Sequence, residues 1–319
     1  MTEIQDYTNS IIENIESVII GKRSTIEHLM VALLCEGHVL LEDVPGTGKT
    51  MLARSLAVSL KGQFKRLQCT PDLLPNDVTG VAVFNQKTTE FEFHPGPIFV
   101  NVLLVDEINR ATPRTQSALL EAMQEQQVTV EGTTYSLPRP FLVIATQNPV
   151  EYEGTFPLPE AQLDRFLMKL EIGYPTPGDE RLLLSRLSHE HPILKIQAVV
   201  ESAKLIEYQR KVWDVYIEDS LQEYIVDLIN ATRSHRDLVL GASPRASLAL
   251  FKASQALAAI QGRDHVLPDD IQKLVRPILS HRLIVSPDAQ LRGRTAPIIL
   301  NDILNAVPLK IDNLTPQKK

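Results

Sequence analysis

The sequence contains only two cysteines, Cys35 and Cys69, in 319 residues. They stand far apart, and Cys35 sits in an apolar run. Neither a disulfide framework nor a metal knuckle follows, and a reducing compartment is expected. Basic charge is also short: 32 Lys and Arg against 39 Asp and Glu leave a net charge of −7. That balance gives no electrostatic support to nucleic-acid binding. No apolar run approaches the ~18 residues that cross a bilayer. The opening residues, MTEIQDYTNS, lack a basic segment followed by an apolar one. A cytoplasmic protein without a transmembrane segment is the expectation. No internal repeat is present, and low complexity is confined to the short polar stretch TPQKK. The rest is ordinary, with 44% hydrophobic and 22% charged residues on a chain long enough for one large or two medium domains.

One stretch stands out against that background. Residues 39–51, VLLEDVPGTGKTM, run from a short apolar strand through a Pro/Gly turn into a helix. Gly46, Thr47, Gly48, Lys49 and Thr50 form the second half of a phosphate-binding loop. Small residues there let backbone N–H groups cradle phosphate oxygens at a helix N-terminus. Lys49 would neutralise the outer phosphates, and the Thr50 hydroxyl would bind Mg²⁺. Asp43 stands where the general pattern asks for glycine. A plain strand-to-helix turn would contain the same letters, but the strand before and the helix after favour a nucleotide. Pro45 and Met51 complete the candidate nucleotide-binding set.

Around this stretch the periodicity alternates between helix and strand. Ile4, Ile11, Ile12 and Ile15 predict an amphipathic helix over 3–17. Ser24 is placed to cap the next helix, and Leu52, Leu56 and Leu60 mark the one after the loop. Residues 64–67 read as a strand, and 70–97 as a turn-rich insertion in which 81–84 and 90–93 pair as a hairpin. With Phe91 and Phe93 exposed this would be a partner-touching loop; a locally packed hairpin is the alternative. Residues 98–105, IFVNVLLV, read as a strand buried on both faces, ending in Asp106 and Glu107. Thr112 and Pro113 open a helix. Glu131-Gly132 joins two short strands, and 141–145 is another buried strand. Residues 167–172 are the last. The Gly/Pro-rich stretch 173–178 is the best domain boundary, dividing 1–175 from 176–319. Beyond it the periodicity is helical throughout. The fold class is therefore α/β, a parallel-sheet nucleotide domain followed by a small all-helical lid.

A buried strand ending in two acids is a second piece of nucleotide-hydrolysing machinery. Asp106 would hold Mg²⁺ through water, and Glu107 would orient or deprotonate the attacking water. Asn148 ends the next apolar strand. Parallel strands open their C-terminal ends on one edge, which would bring Lys49, Asp106, Glu107 and Asn148 together. A plain turn asparagine before Pro149 is the alternative for Asn148. Arg165 and Arg245 are weaker on spacing alone, since most arginines are surface residues. Arg110 and Arg114 compete with them for the role of an arginine that offsets charge on the transferred phosphate.

The combined pattern resembles the AAA+ ATPases, and within them the MoxR family. The stretches that carry it are EDVPGTGKT (42–50), TPDLLPNDVTG (70–80), residues 96–132, FLVIATQNPVEYEGTFPLPEAQLDRF (141–166), GASPRASLAL (241–250) and HRLI (281–284). Asp43 in place of glycine is normal in that family. The resemblance implies that Lys49 and Thr50 are Walker A residues, and Asp106 and Glu107 Walker B. It further implies that Asn148 is sensor 1, Arg165 the arginine finger and Arg245 the sensor 2 arginine. Residues 18–22, with Ile20 and Gly21, become an adenine-binding wall rather than simple core. The finger acts on ATP held by the neighbouring subunit, so a ring, usually hexameric, is implied. Residues 78–97 match the helix-2 insertion and 128–137 the hairpin before sensor 1, elements that in related rings face the pore or the client. An extra helix around 200–213 repositions the lid, which leaves open whether Arg245 acts on its own subunit's nucleotide.

The implied function is a Mg-ATPase that remodels, matures or activates a protein client, with metal or cofactor insertion and partners bearing a von Willebrand factor A domain as family themes. A nucleic-acid motor, a chelatase-type motor subunit and a nucleotide-gated scaffold are the alternatives. Acidic net charge counts against the first, and the presence of Glu107, Asn148 and Arg165 against the last.

Overall fold

The computed structural model describes residues 1–44, 46–148, 154–186 and 192–309. The chain divides into two compact units, one of residues 3–210 and the other of residues from 211 onward with Met1 and Thr2.

The first unit is built on alternating helices and strands. In α1 (Thr2–Glu16) the four isoleucines are buried along one face, as a 3.6-residue period requires. The position before α2 (Arg23–Leu34) is Lys22, which makes no side-chain cap. Ser24 falls inside the first turn, so the expected cap is not formed. Then come β1 (Val39–Glu42), α3 (Lys49–Ser59), β2 (Phe64–Gln68) and the short α4 (Pro75–Thr79). The hairpin of β3 (Gly80–Asn85) and β4 (Glu90–Pro95) precedes β5 (Val102–Asp106) and α5 (Pro113–Glu125). Thr112 caps α5, its hydroxyl accepting the Thr115 N–H. A second hairpin, β6 (Gln127–Val130) with β7 (Thr133–Ser136), turns through Glu131 and Gly132 at φ 48° and 78°. Two successive positive φ values are what a tight primed turn demands. β8 (Leu142–Gln147), α6 (Glu160–Leu163) and β9 (Met168–Leu170) complete the α/β part.

Five strands form one parallel sheet in the order β2-β5-β8-β1-β9. β5 is buried along its whole length, as expected of a strand covered on both faces. It begins at Val102, later than the apolar run suggests. Ile98 and Val100 are buried, but their N–H groups bond to Val78 O at 3.3 Å and Ile98 O at 2.8 Å in turns. The two readings of the β3–β4 hairpin divide between its phenylalanines. Phe91 is 73% exposed, whereas Phe93 stacks on Tyr135 at 4.0 Å and meets Phe99 edge-on at 5.4 Å.

The stretch 173–178 ends the sheet without ending the unit. α7 (Pro177–Arg186) and most of α8 (Ser202–Lys211) stay with it. Asn14 Nδ2 donates to Gln197 O at 2.9 Å, the Val199 N–H reaches Ser59 O at 3.1 Å, and Gln209 Nε2 donates to Leu33 O at 2.8 Å. These bonds carry the first compact body past residue 175 to Arg210.

His38, buried just before β1, ties three elements together. Its Nε2 lies 3.0 Å from Met123 O, and its Nδ1 accepts the Val143 N–H at 3.1 Å. Only the neutral ring protonated on Nε2 makes both bonds. Burial pushes its pKa down from 6.5 to about 4, opposed in part by the bond to Met123. The unfolded chain therefore takes up this proton first as pH falls. The contribution is complete above the unfolded value and lost as pH drops towards the folded one. At about 1.4 kcal/mol per pH unit it amounts to about 3 kcal/mol. Urea midpoints measured from pH 7.5 down to 4.5 should fall steadily, and His38→Gln should flatten that slope.

The second unit is mainly helical: α9 (Asp219–Ser234), α10 (Pro244–Ile260) and α11 (Pro268–Leu279) carry its core. It also contains one small antiparallel pair, β10 (Leu238–Leu240) with β11 (Ile284–Val285), so the unit is not purely helical. Buried Asp270 accepts both Nη atoms of Arg263 at 2.7 and 2.8 Å. Among the described residues no helix is long and apolar enough to cross a membrane.

Candidate active site

Parallel pairing sets the C-terminal ends of β1, β2, β5 and β8 along one edge of the sheet, where ligands bind in such folds. A cavity of about 350 Å³ opens there, and Lys49, Thr50, Asp106, Glu107 and Asn148 all line it. Residues from two strand ends and a helix start thus meet around one space.

The phosphate loop follows β1. Gly46 and Gly48 sit at φ 86° and 88°, and Gly48 is the residue before the first turn of α3. A side chain would be strained at both positions. Lys49 opens α3, and its Nζ donates to the Asp43 and Val44 carbonyls, each at 2.9 Å. Pro45 lies outside the described residues.

Asp43 has a structural explanation. Its carboxylate, only 7% exposed, accepts the Val44 N–H on Oδ1 at 2.8 Å. On Oδ2 it accepts those of Ile172 and Gly173 at 3.1 and 2.8 Å. The start of the phosphate loop is thereby fastened to the chain leaving β9. Asp43→Asn would set an amide N–H₂ against backbone donors. It should cost about 2–3 kcal/mol, read as a lowered Tm in thermal unfolding.

Asp106 and Glu107 end β5. Asp106 is buried; Arg66 Nε donates to its Oδ2 at 2.5 Å and the Thr146 hydroxyl to its Oδ1 at 3.2 Å. Glu107 has φ 56°, and its N–H donates to Thr146 Oγ1 at 2.9 Å. A left-handed conformation in a side-chain-bearing residue is strain of the kind found at functional sites. Glu107 Oε2 accepts from Gln68 Nε2 at 2.9 Å and Arg110 Nη1 at 3.0 Å. Cys69 lies buried beside these acids. Burial first, then the charges of Asp106 and Glu107, push its thiol up to about 12, so it stays protonated.

A second, apolar cavity of about 180 Å³ adjoins the loop. It is lined by Val18, Ile19, Ile20, Pro175 and Leu183, together with Thr47. Gly46, Gly48 and Met51 line both cavities. Gly21 is not among its lining residues; a Cβ built there would come within 2.3 Å of Asp179 Oδ2. Arg165 follows α6, half-buried, and lines neither cavity. Arg114 is exposed in the first turn of α5, while Arg110 is engaged by Glu107. Arg245 is exposed in the first turn of α10, in the second unit.

Four lining residues escape a reading by motif: Arg66, Gln68, Thr146 and Gln147. Arg66 and Gln68 left a faint signal, polar residues two apart at the end of a strand. Thr146 and Gln147 left none beyond their place before Asn148.

Residues 38–168 match the family model for ATPases associated with various cellular activities (AAA), and residues 230–303 that for the AAA lid domain. A parallel-sheet nucleotide-type domain with such a lid defines an AAA-type ATPase. The chain is 53% identical over 300 residues to the uncharacterized protein YeaC of Bacillus subtilis, covering 94% of each. It is 40% identical to the chaperone MoxR1 of Mycobacterium tuberculosis, covering 99% of this chain and 85% of that protein. A crystal structure of a Cytophaga hutchinsonii protein assigned as an ATPase superposes with a TM-score of 0.91 at 39% identity, covering 97% of both chains. The chain belongs to the MoxR family of AAA+ ATPases.

Proposed function

We propose that this chain binds ATP with Mg²⁺ and hydrolyses it within a ring, hexameric as is usual for its family, to remodel or mature a protein client. The observation that carries the reading is the meeting of Lys49, Thr50, Asp106, Glu107 and Asn148 around one cavity beside an apolar slot. The triphosphate would lie in the polar cavity and the adenine against Ile20 and its neighbours, with Gly46, Gly48 and Met51 between them. A hydroxyl and a carboxylate, Thr50 and Asp106, suit a hard divalent ion that keeps several waters. Bound there, the ion would offset charge on the outer phosphates. Lys49 would leave the loop carbonyls for the phosphates, Glu107 would take the proton from the attacking water, and Asn148 would orient that water. Arg165 would complete the site of the adjoining subunit, and Arg245 would report the nucleotide to the lid.

The chaperone role draws on the name of the mycobacterial relative. Phe84 and Phe91, exposed on the β3–β4 hairpin, are the surface we assign to the client. A partner bearing a von Willebrand factor A domain, a cytoplasmic location, and functional domains of 1–175 and 176–319 belong to the same proposal. Phosphate release from Mg-ATP, abolished by chelation, tests the enzyme. Affinity capture with Glu107→Gln held on ATP tests the client: a specific protein should come down, and nucleic acid alone would end the remodelling idea.

A further inference from the structure

The apolar slot beside the phosphate loop takes its walls from distant parts of the chain. One wall is Val18, Ile19 and Ile20, ahead of α2; the other is Pro175 and Leu183, beyond β9. A base is gripped there only if the second wall keeps its place relative to the loop, since a wall that must be ordered on binding costs affinity.

Three contacts fix that second wall. Asp43 Oδ2 accepts the Ile172 and Gly173 N–H groups at 3.1 and 2.8 Å. Lys22 Nζ donates to Tyr174 O at 2.9 Å. Thr176 and Asp179 form a capping box at the start of α7. The Asp179 N–H donates to Thr176 Oγ1 at 3.2 Å, and the Thr176 N–H donates to Asp179 Oδ2 at 3.3 Å. Asp179 abuts Gly21, where any side chain would collide with it, and Leu183 follows one turn along α7. Lys22 and Gly21 tie the second wall to the first. Of the three contacts, only that of Asp43 ties it to the phosphate loop.

Asp43 also lines the polar cavity. A carboxylate beside a triphosphate is unfavourable in itself, and the glycine of the general pattern would bring no such charge. Its presence calls for a compensating gain, and the bonds to Ile172 and Gly173 supply one.

We propose that Asp43 is a positioning residue that holds the Pro175–Leu183 wall against the phosphate loop and so sets how much affinity a nucleoside triphosphate gains from its base. The proposal rests on the ATP-binding reading above and takes it further: recognition of the base depends on Asp43, and recognition of the phosphates does not.

The test titrates the full-length chain by calorimetry with Mg-ATP and with Mg-tripolyphosphate, which carries the phosphates without ribose or base. The ratio of the two affinities is the readout, and in the wild type ATP should bind more tightly. Asp43→Gly should lower that ratio about tenfold, the loss expected when hydrogen bonds to a charged acceptor go, while tripolyphosphate affinity stays within about twofold. Lys22→Met keeps an apolar stem at the slot and loses only the exposed bond to Tyr174 O. It should lower the ratio about threefold, and it reads the wall even if Asp43→Gly does not fold. An unchanged ratio in either folded variant, or equal weakening of both ligands, would overturn the proposal and leave the ATPase reading intact. A wild type that binds ATP no more tightly than tripolyphosphate would remove the base slot and the proposal with it. One that binds neither would remove the ATPase reading as well.

Discussion

Glu107→Gln should bind ATP as tightly as the wild type and turn it over about 10²–10⁴-fold more slowly. Glutamine has the same shape, and its carbonyl oxygen still accepts from Gln68 and Arg110, which hold the wild-type carboxylate at 2.9 and 3.0 Å. The backbone at φ 56° is fixed by the Glu107 N–H bond to Thr146, which the substitution leaves alone. The capacity to take a proton is removed, together with the negative charge that faces Arg110. Single-turnover hydrolysis and equilibrium nucleotide binding, measured on one preparation, separate the two properties. Hydrolysis near the wild-type rate would take the base role away from Glu107.

Arg165→Ala should lower turnover by about 10³–10⁵-fold, the range for an arginine supplied to the transferred phosphate. Arg165 lines neither cavity, so its proposed action is on a neighbour's nucleotide. That makes a distinctive mixing result. Arg165→Ala and Glu107→Gln should each be nearly inactive alone. Mixed and allowed to reassemble, they should recover a measurable fraction of wild-type hydrolysis. In mixed rings some interfaces pair an intact Glu107 with an intact Arg165. A mixture as inactive as its components, despite proven subunit exchange, would mean that Arg165 does not act across an interface.

The sheet strands and the residues that end them were legible in the sequence because the signals are local. A Gly-Thr-Gly-Lys-Thr turn, an apolar run closed by Asp-Glu, and a second run closed by Thr-Gln-Asn each lie within a few residues. Parallel packing then does the rest, since all such strands open on one edge. Strand limits were less legible. Ile98 and Val100 are as apolar as Leu103 and Val105, and burial by turn and burial by strand look alike in a string of letters. Phe91 and Phe93, two residues apart on one strand, lie on one hairpin face. That Phe93 is covered at one end of that face depends on nearby Phe99 and also on Tyr135, which belongs to the other hairpin, far along the chain.

Sequence by itself determined which groups could do chemistry here, because phosphate cradling, proton removal and metal binding each require particular side chains at fixed local spacing. Tertiary structure decided what those groups are bonded to. Arg66 reaches Asp106 only because β2 and β5 pair in one register across the intervening hairpin. Asp43 finds its donors only where the chain leaves β9, and residues beyond 175 join the first unit through bonds to Asn14, Ser59 and Leu33. A hydrogen bond spans about 3 Å whatever the separation along the chain, so its partners are fixed by packing and not by the order of letters.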